Sequence, residues 1–194
     1  MLQHTILVTA LLMMVLPVAA QELFVPEQVI TELKAFYPDT TLVEAGVPRC
    51  VIVYPEEAEY EAVARQVAAA IKTATGADVP MKTATQYQVA DRDTNLICLG
   101  RMNNNKLALD LYIWRFVASD DWFPGPDGYE FRTVCDPWGN GHNVVMLGGS
   151  DLEGVRKAVE QFITTLWPNA GDTANYPDGV ERHRKSGRIY RSQN

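Results

Sequence analysis

The sequence predicts an α/β fold of the α+β kind, a mixed β-sheet covered by helices, and three observations predict it. Residues 50–54 (CVIVY), 94–100 (TNLICLG) and 143–148 (NVVMLG) are short apolar runs rich in branched side chains, as buried strands are. Long stretches with apolar residues at helical spacing lie between and after them. Strand, long helix and strand imply a parallel crossover, whereas two strands joined by the compact turn DPWGNGH imply an antiparallel hairpin, so the sheet should be mixed.

Taken in order, the chain opens with MLQHTILVTALLMMVLPVAA, an apolar run closed by Pro17 and small residues. It reads as a secretory signal peptide over residues 1–20, too short for the roughly 20 apolar residues of a membrane span. Export to the periplasm or the exterior follows, with no membrane span expected after the signal is removed. Residues 21–167 then suit one α/β domain.

Val29, Leu33 and Phe36 share a helical face, so residues 26–37 read as a first helix with Pro26 at a tolerated early position. After the strand at 50–54, Glu56 and Glu57 open a helix expected over residues 55–75, and Lys72 and Gly76 close it. ADVPMKTA reads as an edge strand, because Pro80 cannot donate to a ladder. KLALDLYIWRF is apolar nearly all round, which predicts a largely buried helix over residues 104–117 with Trp114 in the core. YEFRTVC (129–135) alternates as a half-covered strand does. Beyond Trp167, residues 168–194 lack a clear period and read as a polar linker or the start of a following domain.

A formal net charge of -7, with no basic run before the tail, makes nucleic acid and anionic membranes poor partners. Cys50, Cys98 and Cys135 are too few and too widely spaced for a disulfide scaffold and read as buried thiols. No C-x-x-C occurs and His142 and His183 are the histidines beyond the signal, so no metal site is expected.

The stretch GGSDLEG (148–154) runs from a strand into a helix, as phosphate-binding turns do. It matches neither the dinucleotide fingerprint nor the phosphate loop, carries no lysine, and places Asp151 and Glu153 where an anion would sit. Ser150 and Glu153 instead predict a capping box, followed by the apolar stripe Leu152, Val155, Val159, Phe162 and Leu166. No cofactor is expected. Asp120, Asp121, Asp127 and Asp136 are loop carboxylates of the kind that form turns and caps, and G-x-S-x-G is absent, so no catalytic residue is assigned. Trp122 and Phe123 in one loop and Trp138 in the hairpin turn are the candidate contact residues. Aromatic rings in loops stack on sugars, pack on a partner domain or fold onto their own core, and all three settings stay open here.

The order strand, helix, strand, helix, hairpin, with GYEFRTVCDPWGNGHNVVMLGGSDLEGVRKAVEQF closing it, resembles the small α/β domain that precedes the catalytic barrel in β-N-acetylhexosaminidases and α-glucuronidases. Gly128 and Tyr129, residues 143–147, Gly148, Gly149 and Gly154 carry the resemblance, which covers about residues 25–166. VRKAVEQF departs from the smaller, glycine-containing helix usual in the hexosaminidase version. The resemblance implies a hexosaminidase second-domain-like fold and a non-catalytic accessory role beside a downstream catalytic domain, in a glycoside hydrolase or a polysaccharide lyase. A free-standing carbohydrate-binding or surface interaction module is the alternative.

Overall fold

The computed structural model describes residues 39–166 and the strands Ala174–Pro177, Arg182–Lys185 and Arg188–Arg191. The expected signal peptide and the helix expected over residues 26–37 lie outside the described residues.

The mixed sheet is present. Its strands are β3 (Cys50–Tyr54), β4 (Met81–Thr83), β5 (Asn95–Gly100), β6 (Tyr129–Val134) and β7 (Val144–Gly149), in the spatial order β6-β7-β5-β3-β4. The β3–β4, β3–β5 and β5–β7 pairs are parallel, and β6 runs antiparallel to β7. Strands β9 (Arg182–Lys185) and β10 (Arg188–Arg191) extend the sheet beyond β6. A second, small antiparallel sheet joins β1 (Asp39–Glu44) to β2 (Val47–Pro48) and to β8 (Ala174–Pro177). Parts of the tail beyond residue 168, where no period is legible, are thus paired to the domain.

Alternate residues of each central strand face opposite layers, as pleating requires. Ile52, Ile97, Leu99, Val145 and Leu147 face helices α1 (Ala58–Thr75) and α3 (Leu152–Leu166). Val53, Leu96, Cys98, Val144 and Met146 face the layer of helix α2 (Lys106–Ile113). Both faces are covered, which is why these strands read as continuous apolar runs. Helix α1 ends on Gly76 at φ 78°, whose N–H donates to the Lys72 carbonyl. β4 sits at an edge, and Pro80 just before it uses its carbonyl to accept from Ile52 N–H (3.0 Å).

Three expectations need correction. Helix α2 is only eight residues long and is not buried all round: Leu107, Ala108 and Leu111 face the sheet, whereas Leu109, Ile113 and Trp114 are exposed, Trp114 by 72 %. The helix stops because Arg115 adopts φ 61°, and Arg115 N–H to Tyr112 O and Phe116 N–H to Leu111 O (both 2.9 Å) close it as a Schellman motif. Strand β6 is not half-covered. Glu130, on the face that alternation assigns to solvent, is fully buried because residues 116–119 fold over it. Finally, Ser150 does not cap α3; that role falls to Asp151, as described below.

Cys50 and Cys98 are buried and Cys135 is half-buried, all as thiols. Burial in apolar surroundings pushes the Cys50 thiol up to about 12 and raises that of Cys98 as well. Among the described residues no helix is long and apolar enough to cross a membrane.

Candidate functional site

The C-terminal ends of the parallel strands are where ligands gather in open α/β sheets, at points where successive connections leave in opposite directions. In this chain the connection after β3 leads outward to β4, and the one after β5 leads the other way, toward β6 and β7. The place is filled by the protein itself. A Cβ on Gly100, the last residue of β5, would meet Pro55 Cγ and Asn104 Oδ1 at 2.7 Å each, so the loops after β3 and β5 are already in contact.

The glycine turn after β7 is closed in the same way. The Asp151 carboxylate accepts from Gly154 N–H (2.8 Å) through Oδ1 and from Asp127 N–H (3.0 Å) through Oδ2, so one side chain caps α3 and holds the preceding loop. Ser150, expected to cap the helix, accepts from Gly125 N–H (3.0 Å) instead. Loop 124–128 lies so close that a Cβ on Gly154 would stand 2.0 Å from the Gly128 carbonyl oxygen. A Cβ on Gly148 would stand 2.3 Å from Ser119 Oγ. The glycines admit neighbouring chain, and the helix N-terminus has its own carboxylate, which meets the Gly154 N–H that an anion would otherwise use.

What these contacts accomplish is to fix loop 118–128 at both ends. At the near end, the buried Glu130 carboxylate accepts from Ala118 N–H (3.0 Å) and Ser119 Oγ (2.6 Å) and faces Arg132 Nε (2.9 Å). In the middle, Asp120 Oδ1 accepts from the N–H groups of Trp122 and Phe123 (2.7 Å each), and its Oδ2 accepts from Tyr112 Oη (3.0 Å). Partial burial works against the Asp120 charge, yet the two N–H donors and the tyrosine outweigh it, leaving the carboxyl below its usual range. Asp121 is held by Arg101 Nε (2.5 Å) and Asn103 Nδ2 (2.6 Å), and Arg101 reaches on to Tyr60 Oη (3.1 Å). The Phe123–Pro124 peptide bond is cis.

The result is one aromatic ring presented outward. Trp122 is 87 % exposed on a loop whose neighbours on either side are pinned, and Phe123 beside it is exposed to a lesser degree. Trp138 is not part of this surface. It sits in the turn that enters β7, at the opposite end of the sheet, half-buried against the α2 layer with the Arg92 guanidinium 4.5 Å from its ring centre. The candidate contact residues are therefore divided between the two ends of the sheet.

Of the loop aspartates, Asp136 is buried and accepts from Gly141 N–H (2.9 Å), and Asp127 lies 3.7 Å from Lys157 Nζ. Each of the four is engaged in a turn, a cap or an ion pair. Among the described residues no group of three or more His, Cys, Asp or Glu side chains is arranged to hold a metal ion. Arg101, Asn103 and Glu130 organise the loop and carried no sequence signal, since a polar residue in a loop or strand looks the same whether or not it meets a distant partner. No protein-family model matches the sequence, and no curated protein matches it.

Proposed function

We propose that this chain is a non-catalytic accessory domain of a secreted or periplasmic polysaccharide-degrading enzyme, a glycoside hydrolase or a lyase, and that it packs against a downstream catalytic domain. The observation that carries the reading is the Trp122 indole, 87 % exposed on a loop immobilised by Asp120, Asp121, Glu130 and Asp151. A large apolar ring carried on a backbone already ordered by hydrogen bonds has only its two side-chain torsions to lose on burial, which suits a contact surface. The loop carboxylates, which acid–base hydrolysis would require free, are committed to turns and ion pairs. The resemblance to the domain preceding hexosaminidase and glucuronidase barrels supplies the enzyme class.

A second reading, a free-standing carbohydrate-binding or surface interaction module, is favoured by the polar rim of Arg101, Asn103 and Asp121 next to the indole, since sugar sites combine a ring with hydrogen-bonding groups. The two readings separate in one experiment. The chain is incubated with chitin, xylan and polyuronate, and reducing ends and unsaturated products are measured. Soluble oligosaccharides of each are then titrated against tryptophan emission. The accessory reading expects no turnover and no emission change. An emission change abolished by Trp122→Ala selects the module, and turnover removed by Asp121→Asn overturns both.

A further inference from the structure

The exposed face of α2 is a second surface, which adjoins the base of the Trp122 loop at Tyr112 and Ala118 but presents other side chains to solvent. Lys106, Leu109 and Ile113 are spaced three and four residues apart and so lie along one stripe of the helix. Leu109 and Ile113 are exposed, and Trp114 follows them. Beside the stripe is an open groove of about 580 Å³ lined chiefly by Met102, Leu109, Tyr112, Ile113, Arg115 and Val117. Its walls are mainly aliphatic, and the Tyr112 hydroxyl is already given to Asp120. A sugar, which needs a flat ring and a dense set of hydrogen-bonding groups, finds little here; an apolar side chain finds a socket.

The charges say what should flank that side chain. Nine of the eleven lysines and arginines with described side chains stand within 4 Å of a carboxylate. The two that form no such pair, Lys106 and Arg115, bracket α2, with Lys106 influenced only at longer range by Glu56. In a chain of net charge -7, two such cations at the ends of one apolar stripe are a local complement to negative charge. Arg115 also holds a left-handed φ of 61° at the position where glycine ordinarily closes a helix, so its side chain is present where the backbone does not call for one.

We infer that the α2 stripe and its groove dock a segment of a partner protein in which an apolar anchor is flanked by carboxylates about two and a half helical turns apart. The inference does not rest on the Trp122 surface, and its test uses different residues.

The probes are two synthetic helical peptides with the same leucine stripe, one flanked by glutamates and one by lysines, titrated by calorimetry into the chain. The glutamate peptide should bind at least about tenfold more tightly than the lysine peptide and lose affinity as salt rises. Ile113→Asp, at an exposed position, should abolish binding while the circular dichroism is unchanged. Arg115→Gly should leave the fold at least as stable yet weaken binding several-fold, and Trp122→Ala should change nothing. Equal or absent binding of the two peptides, or indifference to Ile113→Asp, overturns the inference. So does sedimentation showing a dimer that Ile113→Asp dissolves, since the occupant would then be a second copy, and so does binding of neutral oligosaccharide in the groove.

Discussion

The α-carbon of Gly154 faces the carbonyl oxygen of Gly128 so closely that a single methyl group would lie 2.0 Å from it. Two effects oppose each other at this position. Alanine favours a helix over glycine by about 1 kcal/mol, and Gly154 is in the first turn of α3. The clash, however, is with backbone that Asp151 and Ser150 hold in place, and overpacking of this kind costs about 1–3 kcal/mol. The clash should win. Gly154→Ala is expected to lower the urea midpoint, and an unchanged or raised midpoint would mean that loop 124–128 yields freely.

Asp151 and Glu153 give opposite expectations under the two capping schemes. With Asp151 accepting from both Gly154 and Asp127 N–H groups, Asp151→Ala should cost about 2 kcal/mol, one cap plus one loop anchor. Glu153→Ala, whose carboxylate is 3.9 Å from Arg156 on the surface, should change stability by less than about 0.5 kcal/mol. Equilibrium unfolding of the two variants decides the matter, and equal losses would restore the capping box.

The strands and helices α1 and α3 were legible because burial on both faces leaves continuous apolar runs, and burial on one face leaves a 3.6-residue stripe. Helix α2 departs from its expected burial because LALDLYIW has apolar residues on every side, and sequence alone does not tell a helix buried all round from one that exposes an apolar face. The site was legible only in part. Trp122 stands out by residue type, but the loop that carries it is held by Arg101, Glu130 and Asp151, whose partners are distant in sequence or assigned to a neighbouring residue by a local motif. Register decides such pairings. The capping box failed for that reason: Ser150 is one residue too early, and Asp151 occupies the capping place.

Glu130 ties the loop to the sheet. Glu130→Ala would leave Ala118 N–H and Ser119 Oγ without their acceptor and Arg132 without its facing carboxylate, a loss of about 3 kcal/mol or more for a fully buried group. Glu130→Gln, which keeps an acceptor oxygen, should cost about 1–2 kcal/mol. The same variants should raise protease cleavage within residues 118–123, measured by mass spectrometry, whereas cleavage elsewhere stays as in the parent. A Glu130→Ala protein as stable as the parent would show that the loop is held by its other contacts alone.

Thiol accessibility follows from the layers. Cys50 and Cys98 are buried with raised thiol pKa values, so the reactive thiolate is scarce and shielded at pH 8. Native protein treated with iodoacetamide at that pH should remain unlabelled at both positions, and full labelling should appear only in denaturant. Rapid native labelling of Cys98, which lies between β5 and the α2 layer, would mean that α2 opens readily from the sheet.

Asp120 makes the Trp122 loop sensitive to acid. Its carboxyl is desolvated, which alone would raise its pKa, but the N–H groups of Phe123 and Trp122 and the Tyr112 hydroxyl prevail and hold it below the ordinary value of about 3.9. A group depressed in the folded state binds fewer protons there than in the unfolded chain. Its contribution is therefore complete above the ordinary value and is lost as pH falls through the depressed folded one. Asp91, lowered by Lys82 and Gln88 N–H against the same burial effect, and Glu56, lowered by its hydrogen bonds from Thr85, shift in the same direction, so the pH profile of the parent alone would mix the three. The difference between parent and Asp120→Asn isolates one of them, because asparagine can keep accepting from the two N–H groups while lacking the charge. The parent should have the higher urea midpoint at pH 7, and the gap should narrow progressively below about pH 4. A gap that stays constant down to pH 2.5 would mean that the charge on Asp120 does not order the loop.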